Sequence, residues 1–338
     1  MAQRTALITG ITGQDGGYLA QYLHARDYRV VGVTRRTTSN ARDRLPAAVR
    51  DLELVSADLL DQGSLFAVVE QVQPHEIYNL AAQTFVPASW QQPLLTAEVT
   101  GLGLSRLLEA VRLLCPTARV FQASSSEMFG LATQSPQNED TPFHPRSPYG
   151  TSKLYAHWIA ANYRESYGLF VAAGIMFNHE SPRRGREFVT RKISRAVARI
   201  AQGAEATLQL GNLDARRDWG YAPDFVRAMH AMLQTSEPQD LVLATGESHS
   251  VREFCELAFS LVDLEWQHHV QVDPALFRSA EVQALVGDAS RANALLDWRP
   301  TVTFHELVQE MVEADLTAST TTPDTATGFS GIPQRSPR

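Results

Sequence analysis

The sequence predicts an α/β protein: a Rossmann-type, doubly wound parallel sheet with a smaller C-terminal α/β substrate lobe. Three observations carry this reading. Short apolar runs alternate with amphipathic helical patterns up to residue 178. Glycines cluster where the first apolar run ends. The chain has 338 residues, more than one core of ordinary size holds, so a second lobe is expected.

The first run, TALIT at 5–9, ends in glycines, and a helix is expected over 16–26 with Tyr18, Leu19, Tyr22 and Leu23 on one face. RVVGVT at 29–34 reads as the second strand, and 52–56, 76–79 and 119–123 as the third to fifth. Helical patterns lie between them, for example over 104–113, so both faces of the sheet are covered. After 178 the alternation loosens into a loop at 182–185, a helix over 189–202, a strand at 241–244, and helices over 251–261 and 304–316. The expected division is a nucleotide-binding domain over 1–178 plus about 217–245, and a lobe over 179–216 and 246–316. Residues 317–338 are rich in Thr, Ser, Pro and Gly and are expected to be a disordered tail.

Composition excludes several classes of function. Hydrophobic residues make up 44% of the chain and charged residues 20%, as in ordinary globular proteins. A net charge of −7 repels nucleic acid and anionic membranes. No apolar run approaches the roughly 20 residues that span a bilayer. The chain runs from Met1 straight into a strand, with no charged and apolar leader, so a cytoplasmic location is expected. Cys115 and Cys255 are far apart, without metal-ligand spacing, and are expected to be buried thiols; no metal is expected.

The glycines are Gly10, Gly13 and Gly16 of GITGQDG, after a strand and before a helix. There they permit a tight turn and bring backbone N–H groups to a pyrophosphate at a helix N-terminus. An NAD-binding chain usually carries Asp or Glu at the end of the second strand, for the ribose hydroxyls. Here Arg35 and Arg36 follow Thr34, and the first carboxylate is Asp43. Two guanidinium groups suit a 2′-phosphate, so NADP is the expected cofactor. Asp58 and Leu59, after the third strand, are placed for the adenine ring.

Tyr149 and Lys153 are spaced i, i+4 in SPYGTSK, which puts both on one face of a starting helix. A phenol titrates near 10, so it needs a nearby positive charge to act as a base. The Lys153 ammonium and a positive nicotinamide ring are together expected to lower it. Upstream, Ser125 and Glu127 stand at a strand end in ASSSEMFG. The hydroxyl can bond the oxygen that becomes a ketone. A carboxylate at that place is what separates elimination of water from simple oxidation, although a helix-start carboxylate is the plainer alternative.

The motifs GITGQDG, NLAAQ, SSSEMFG, SPYGTSKLYAHW, FNHESPRRG, FVTRKI and RRDWGYAPDF together resemble the extended short-chain dehydrogenases/reductases and, more narrowly, the GDP-mannose 4,6-dehydratase family, over residues 4 to about 316. The resemblance implies a homodimeric or homotetrameric hydro-lyase that removes water from GDP-mannose and recycles NADP within each turnover. It implies a catalytic set of Ser125, Glu127, Tyr149 and Lys153. It implies cofactor contacts from Gly10, Thr12, Gly13, Gln14, Asp15, Gly16, Arg35, Arg36, Asp58, Leu59, Leu80, Ala81, Ala82, Gln83, His179 and Arg184, besides Tyr149 and Lys153. Ser89, Asn178, Thr190, Lys192, Arg217, Arg278 and Glu281 are then the nucleotide-sugar contacts. Ser125 stands where the family more often has Thr, and Ser279 where it usually has Pro. A 4,6-dehydratase of another GDP sugar, such as a GDP-manno-heptose, would share these residues. An NADP-dependent epimerase or reductase on the same scaffold would have no use for Glu127.

Overall fold

A computed structural model describes residues 3–36, 41–277, 282 and 284–321. Seven parallel strands make the central sheet: β1 (Thr5–Thr9), β2 (Arg29–Thr34), β3 (Glu53–Ser56), β4 (Glu76–Asn79), β5 (Arg119–Ser125), β6 (Val171–Met176) and, later in the chain, β11 (Asp240–Leu243). Their order is β11-β6-β5-β4-β1-β2-β3. The order reverses between β1 and β4, so the loops leaving these two strands diverge and open a crevice at their carboxyl ends. Every residue of β1, β4 and β6 is buried, as expected of strands covered on both faces.

One face carries the helices Gln14–His24 and Ala222–Met232, joined through Leu19, Leu23, Phe225 and Met229. The other carries Gln62–Val72, Gly103–Leu114 and Pro148–Tyr167, joined through Val69, Leu104, Leu108 and Ala160. Small sheets build the lobe. β7 (Asn178–Glu180) pairs with β10 (Trp219–Tyr221), β8 (Leu208–Leu210) with β13 (Val270–Val272), and β9 (Arg216–Arg217) lies between β12 (His249–Ser250) and β14 (Ala284–Leu285). A separate core of Ile193, Val197, Phe254, Phe259, Val308 and Met311 holds the helices Val189–Ala201, Val251–Ser260 and Phe304–Thr321 together.

Three features differ from the sequence reading. β6 has no counterpart in it, because VAAGIM is buried on both faces and shows no alternation. Trp219, in the stretch assigned to the nucleotide-binding domain, packs into the lobe core, whereas Phe225 and Leu243 of that stretch pack on the central sheet. The last helix continues to Thr321, five residues into the expected tail; the rest of that tail lies outside the described residues.

Helix starts position the site. Ser147 caps the Pro148–Tyr167 helix by accepting from Gly150 N–H at 3.0 Å, with Pro148 in the first turn. Helix Gln14–His24 begins at Gly13 with no side-chain cap, so its first N–H groups remain open to an anion.

Candidate active site

Two adjoining cavities occupy the crevice. The first, about 560 Å³, is walled by Gly10, Thr12, Gly13, Gln14, Asp15 and Gly16 on one side and by Leu80, Ala81, Ala82 and Gln83 on the other. Gly10 has φ +70°, and a Cβ there would sit 2.9 Å from Ala81 N. A Cβ on Gly16 would sit 2.3 Å from the Gly10 carbonyl oxygen. The loop is therefore shaped around missing side chains, as a pyrophosphate cradle requires. Asp58 and Leu59 lie on the far wall, where Asp58 Oδ1 already accepts from Leu60 N–H at 3.0 Å. Arg35 lines the cavity; Arg36 is exposed and does not, and Arg44 takes the second basic position.

The second cavity, about 400 Å³, is where Ser125, Glu127, Tyr149 and Lys153 meet. Ser125 ends β5, and its hydroxyl accepts from Glu127 N–H at 3.2 Å, turning the chain so that Glu127 follows directly. Gly150 makes this proximity possible, since a Cβ there would lie 2.6 Å from the Glu127 carbonyl oxygen. The Tyr149 hydroxyl lies next to Ser125 on the cavity wall. Lys153 Nζ donates to the Ala123 carbonyl at 2.6 Å and lies 5.8 Å from the centre of the Tyr149 ring.

The electrostatics correct one expectation. Burial pushes the Tyr149 phenol up to about 12, outweighing the opposing effect of Ser125; nearby Glu127 raises it further. Burial also brings Lys153 down to about 8, with Asp15 opposing. The ammonium expected to activate the phenol is thus itself destabilised, and the protein alone favours neutral Tyr149.

His179 is fixed on both ring nitrogens, at 2.9 Å to Asp15 Oδ2 and 2.7 Å to the Phe177 carbonyl, and stacks on Phe225. Burial works against its charge, but Asp15 prevails and its pKa is raised. Burial likewise opposes the Asp15 carboxylate, yet His179, with Gln14 and Arg184, holds it at about 2. Asp15 and Arg184 line both cavities.

Asn178, Thr190, Lys192 and Arg217 all line the second cavity, and three of them have internal partners. Thr190 donates to Glu180 Oε2 at 2.5 Å, Lys192 Nζ to Gln209 O at 2.6 Å, and Arg217 to Arg216 O and Val282 O, both at 2.8 Å. Arg184 Nε stands 3.1 Å from Glu180 Oε2, an ion pair without a well-aligned hydrogen bond. Ser89 is the exception. It is fully buried, its hydroxyl donates to Val86 O at 2.6 Å, and it lines neither cavity. Arg278 and Glu281, with Ser279, lie outside the described residues.

Sequence reasoning missed Phe85 and Phe188, which line both cavities and meet edge to face at 5.9 Å, with the Arg184 guanidinium 3.7 Å from the Phe188 ring. It also passed over buried Glu180, which holds Thr190 and Arg184. Glu180 and Phe188 lie inside the motifs FNHESPRRG and FVTRKI, whereas no local pattern marks Phe85. Arg44 had a signal, since it belongs to the basic stretch after the second strand.

The chain matches the family model described as GDP-mannose 4,6 dehydratase over residues 7–311. It is 50% identical over 326 residues to GDP-mannose 4,6 dehydratase 2 of Arabidopsis thaliana, covering 93% of this chain and 87% of that protein. It is 47% identical to GDP-mannose 4,6 dehydratase of Cricetulus griseus, covering 95% and 94%. Among solved structures, UDP-glucose 4-epimerase of Thermus thermophilus in complex with NAD matches with a TM-score of 0.81 at 26% identity, over 92% of this chain and 98% of that one.

Proposed function

The chain belongs to the GDP-mannose 4,6-dehydratase family, and from that premise we propose that it is a hydro-lyase converting GDP-mannose to GDP-4-keto-6-deoxymannose and water. The observation that carries the reading is the meeting of Glu127 with Ser125 and Tyr149 on one cavity wall. Oxidation alone needs the phenol and the hydroxyl. A third proton-transfer group is needed only when water leaves.

The roles follow from chemistry. Tyr149 takes the proton of the sugar 4-hydroxyl, and Ser125 bonds the same oxygen as it becomes a ketone. That ketone acidifies the neighbouring C5–H. Glu127 removes the C5 proton and passes it to O6, which leaves as water, and the proton taken by Tyr149 goes back to C5 as C6 is reduced. Lys153 holds its charge next to Tyr149. A nicotinamide cofactor, when bound, supplies the redox capacity, accepting hydride from C4 and returning it to C6. The glycine-shaped cavity and open helix N-terminus fit its pyrophosphate. Arg35 and Arg44 on its wall, with no carboxylate in the sequence between the second strand and Asp43, favour NADP. A positively charged ring next to Tyr149 would offset the cost of burying phenolate, which the protein alone leaves unmet.

Lys192 and Arg217, on the second cavity, are the proposed diphosphate contacts, and Asn178 and Thr190 the polar contacts. Residues 1–178 with much of 222–245 form the proposed nucleotide-binding domain, and most of 179–221 and 246–316 the proposed substrate lobe. A homo-oligomer is proposed through exposed Leu94, Leu102, Tyr155 and Trp158, which sit on helices packed side by side. Among the described residues, no helix is long and apolar enough to cross a membrane. Both cysteines are free and buried, which fits a reducing compartment, and a cytoplasmic location is part of this proposal.

The test is incubation with GDP-mannose and a catalytic quantity of NADP, followed by mass spectrometry. A product lighter by one water, with no net reduced cofactor, is expected. Stoichiometric accumulation of reduced cofactor would identify a plain dehydrogenase instead, and a panel of GDP sugars would set the preferred substrate.

A further inference from the structure

A buried hydrogen-bond ladder crosses the carboxyl ends of β1, β4 and β5 and stops at Lys153. Thr9 Oγ1 accepts from the N–H groups of Leu80 and Ala81, each at 3.1 Å, and donates to Asn79 Oδ1 at 2.8 Å. Asn79 Nδ2 donates to Gln122 Oε1 at 2.7 Å. Gln122 Nε2 donates to the Ala123 carbonyl at 3.0 Å, and Lys153 Nζ donates to the same oxygen at 2.6 Å. Thr9 and Gln122 are each 1% exposed, and Asn79 and Lys153 4%.

The direction of every bond is forced. The Thr9 hydroxyl has one proton and already accepts two amides, so it must donate to Asn79. Asn79 then presents oxygen to Thr9 and nitrogen to Gln122, and Gln122 presents oxygen to Asn79 and nitrogen to Ala123. A carbonyl oxygen has two lone pairs. Gln122 takes one and Lys153 takes the other. Every rung is neutral, so the ammonium is held by an oriented dipole with no carboxylate in the ladder. At the far end, the bonded amides belong to the wall of the cofactor cavity.

We propose that Asn79 and Gln122 are positioning residues: they aim the Ala123 carbonyl at Lys153, set where its ammonium sits next to Tyr149, and tie that position to the Leu80–Ala81 wall. A lysine carries a long, freely rotating stem, so in a buried site the placement of its acceptor determines where its charge rests. The proposal rests on the reading of Lys153 as the partner of Tyr149, and is independent of which sugar is bound.

The experiment reads Lys153 directly in the full-length protein, without substrate. Trace acetylation across a pH series, with mass spectrometry of the Lys153 peptide, gives its titration midpoint. Gln122→Glu keeps the volume and the bond from Asn79 but sets a carboxylate beside the ammonium. The midpoint is expected to rise by about one pH unit or more. Gln122→Met removes the rung without adding charge; kcat is expected to fall on the order of tenfold to a hundredfold, with KM for the nucleotide sugar little changed. A wild-type midpoint in Gln122→Glu, or full kcat in Gln122→Met, would overturn the proposal. If Gln122→Met proves too unstable to assay, the Gln122→Glu titration decides alone. Because the titration needs no turnover, its outcome is separate from any failure of the dehydratase reading.

Discussion

The two cavities share a wall yet are made of different materials. The glycine-loop cavity is formed largely by backbone: Gly10, Gly13 and Gly16, the open start of a helix, and the Leu80–Ala81 segment. The catalytic and sugar cavity is formed by long side chains, most of them already bonded within the protein. Lys192 is spent on Gln209, Arg217 on Val282, and Thr190 and Arg184 on Glu180. Backbone recognition is present before the ligand arrives. Under the proposed function, recognition by these side chains requires an exchange of partners, which costs affinity.

The largest test of this contrast is Tyr149→Phe. Only the phenolic oxygen is lost, and the ring stays in its buried place. Turnover is expected to fall about 10²–10⁴-fold with melting temperature and ligand affinities nearly unchanged, as read by steady-state kinetics and calorimetry. A large loss of binding instead would mean that the strand-end site, like the lobe, depends on side-chain contacts for affinity.

A smaller effect separates Arg35 from Arg36. Arg35→Ala is expected to weaken NADP about tenfold or more while leaving NAD nearly untouched, because a charge-assisted bond to the 2′-phosphate is lost. Arg36→Ala should change neither, since Arg36 is exposed and off the cavity wall. Titration calorimetry with both dinucleotides checks this, and equal losses in the two variants would overturn the placement.

The smallest effect concerns the ion pair between Asp15 and His179. Asp15 titrates at about 2 against an ordinary 3.8, so its stabilisation is present above the ordinary value and lost as pH falls towards 2. His179 is raised above its ordinary 6.5, so its share is fully present below 6.5 and lost as pH rises through the folded value. The melting temperature of Asp15→Asn should therefore differ most from the wild type between these limits, in mildly acidic buffer, and the difference should narrow in alkali to the share that Gln14 and Arg184 contribute. A difference independent of pH would remove the ion pair from the account.

The same contrast explains what was legible in the sequence. Backbone geometry leaves a residue signature: Gly10 needs a positive φ, and Gly16 needs the absence of a Cβ, so spacing alone located that cavity. Tyr149 and Lys153 were legible because helix periodicity puts them on one face. Phe85 and Phe188 were not, because only tertiary packing brings together two aromatics so far apart in the chain. Ser89 was placed by motif resemblance, and packing turned it towards Val86. The ionisation of Tyr149 could not be read either, since the dominant influence is burial, which is a property of the folded site. β6 escaped for a related reason, as a strand covered on both sides has no alternation to detect.

The central claim is that Glu127 turns an oxidation into a dehydration. Single-turnover mixing of Glu127→Gln with GDP-mannose and bound NADP, followed by absorbance of the reduced cofactor and mass spectrometry of the sugar nucleotide, tests it most directly. Reduced cofactor should form and persist, and no product lighter by one water should appear. Full turnover to the dehydrated product in Glu127→Gln would contradict the assignment.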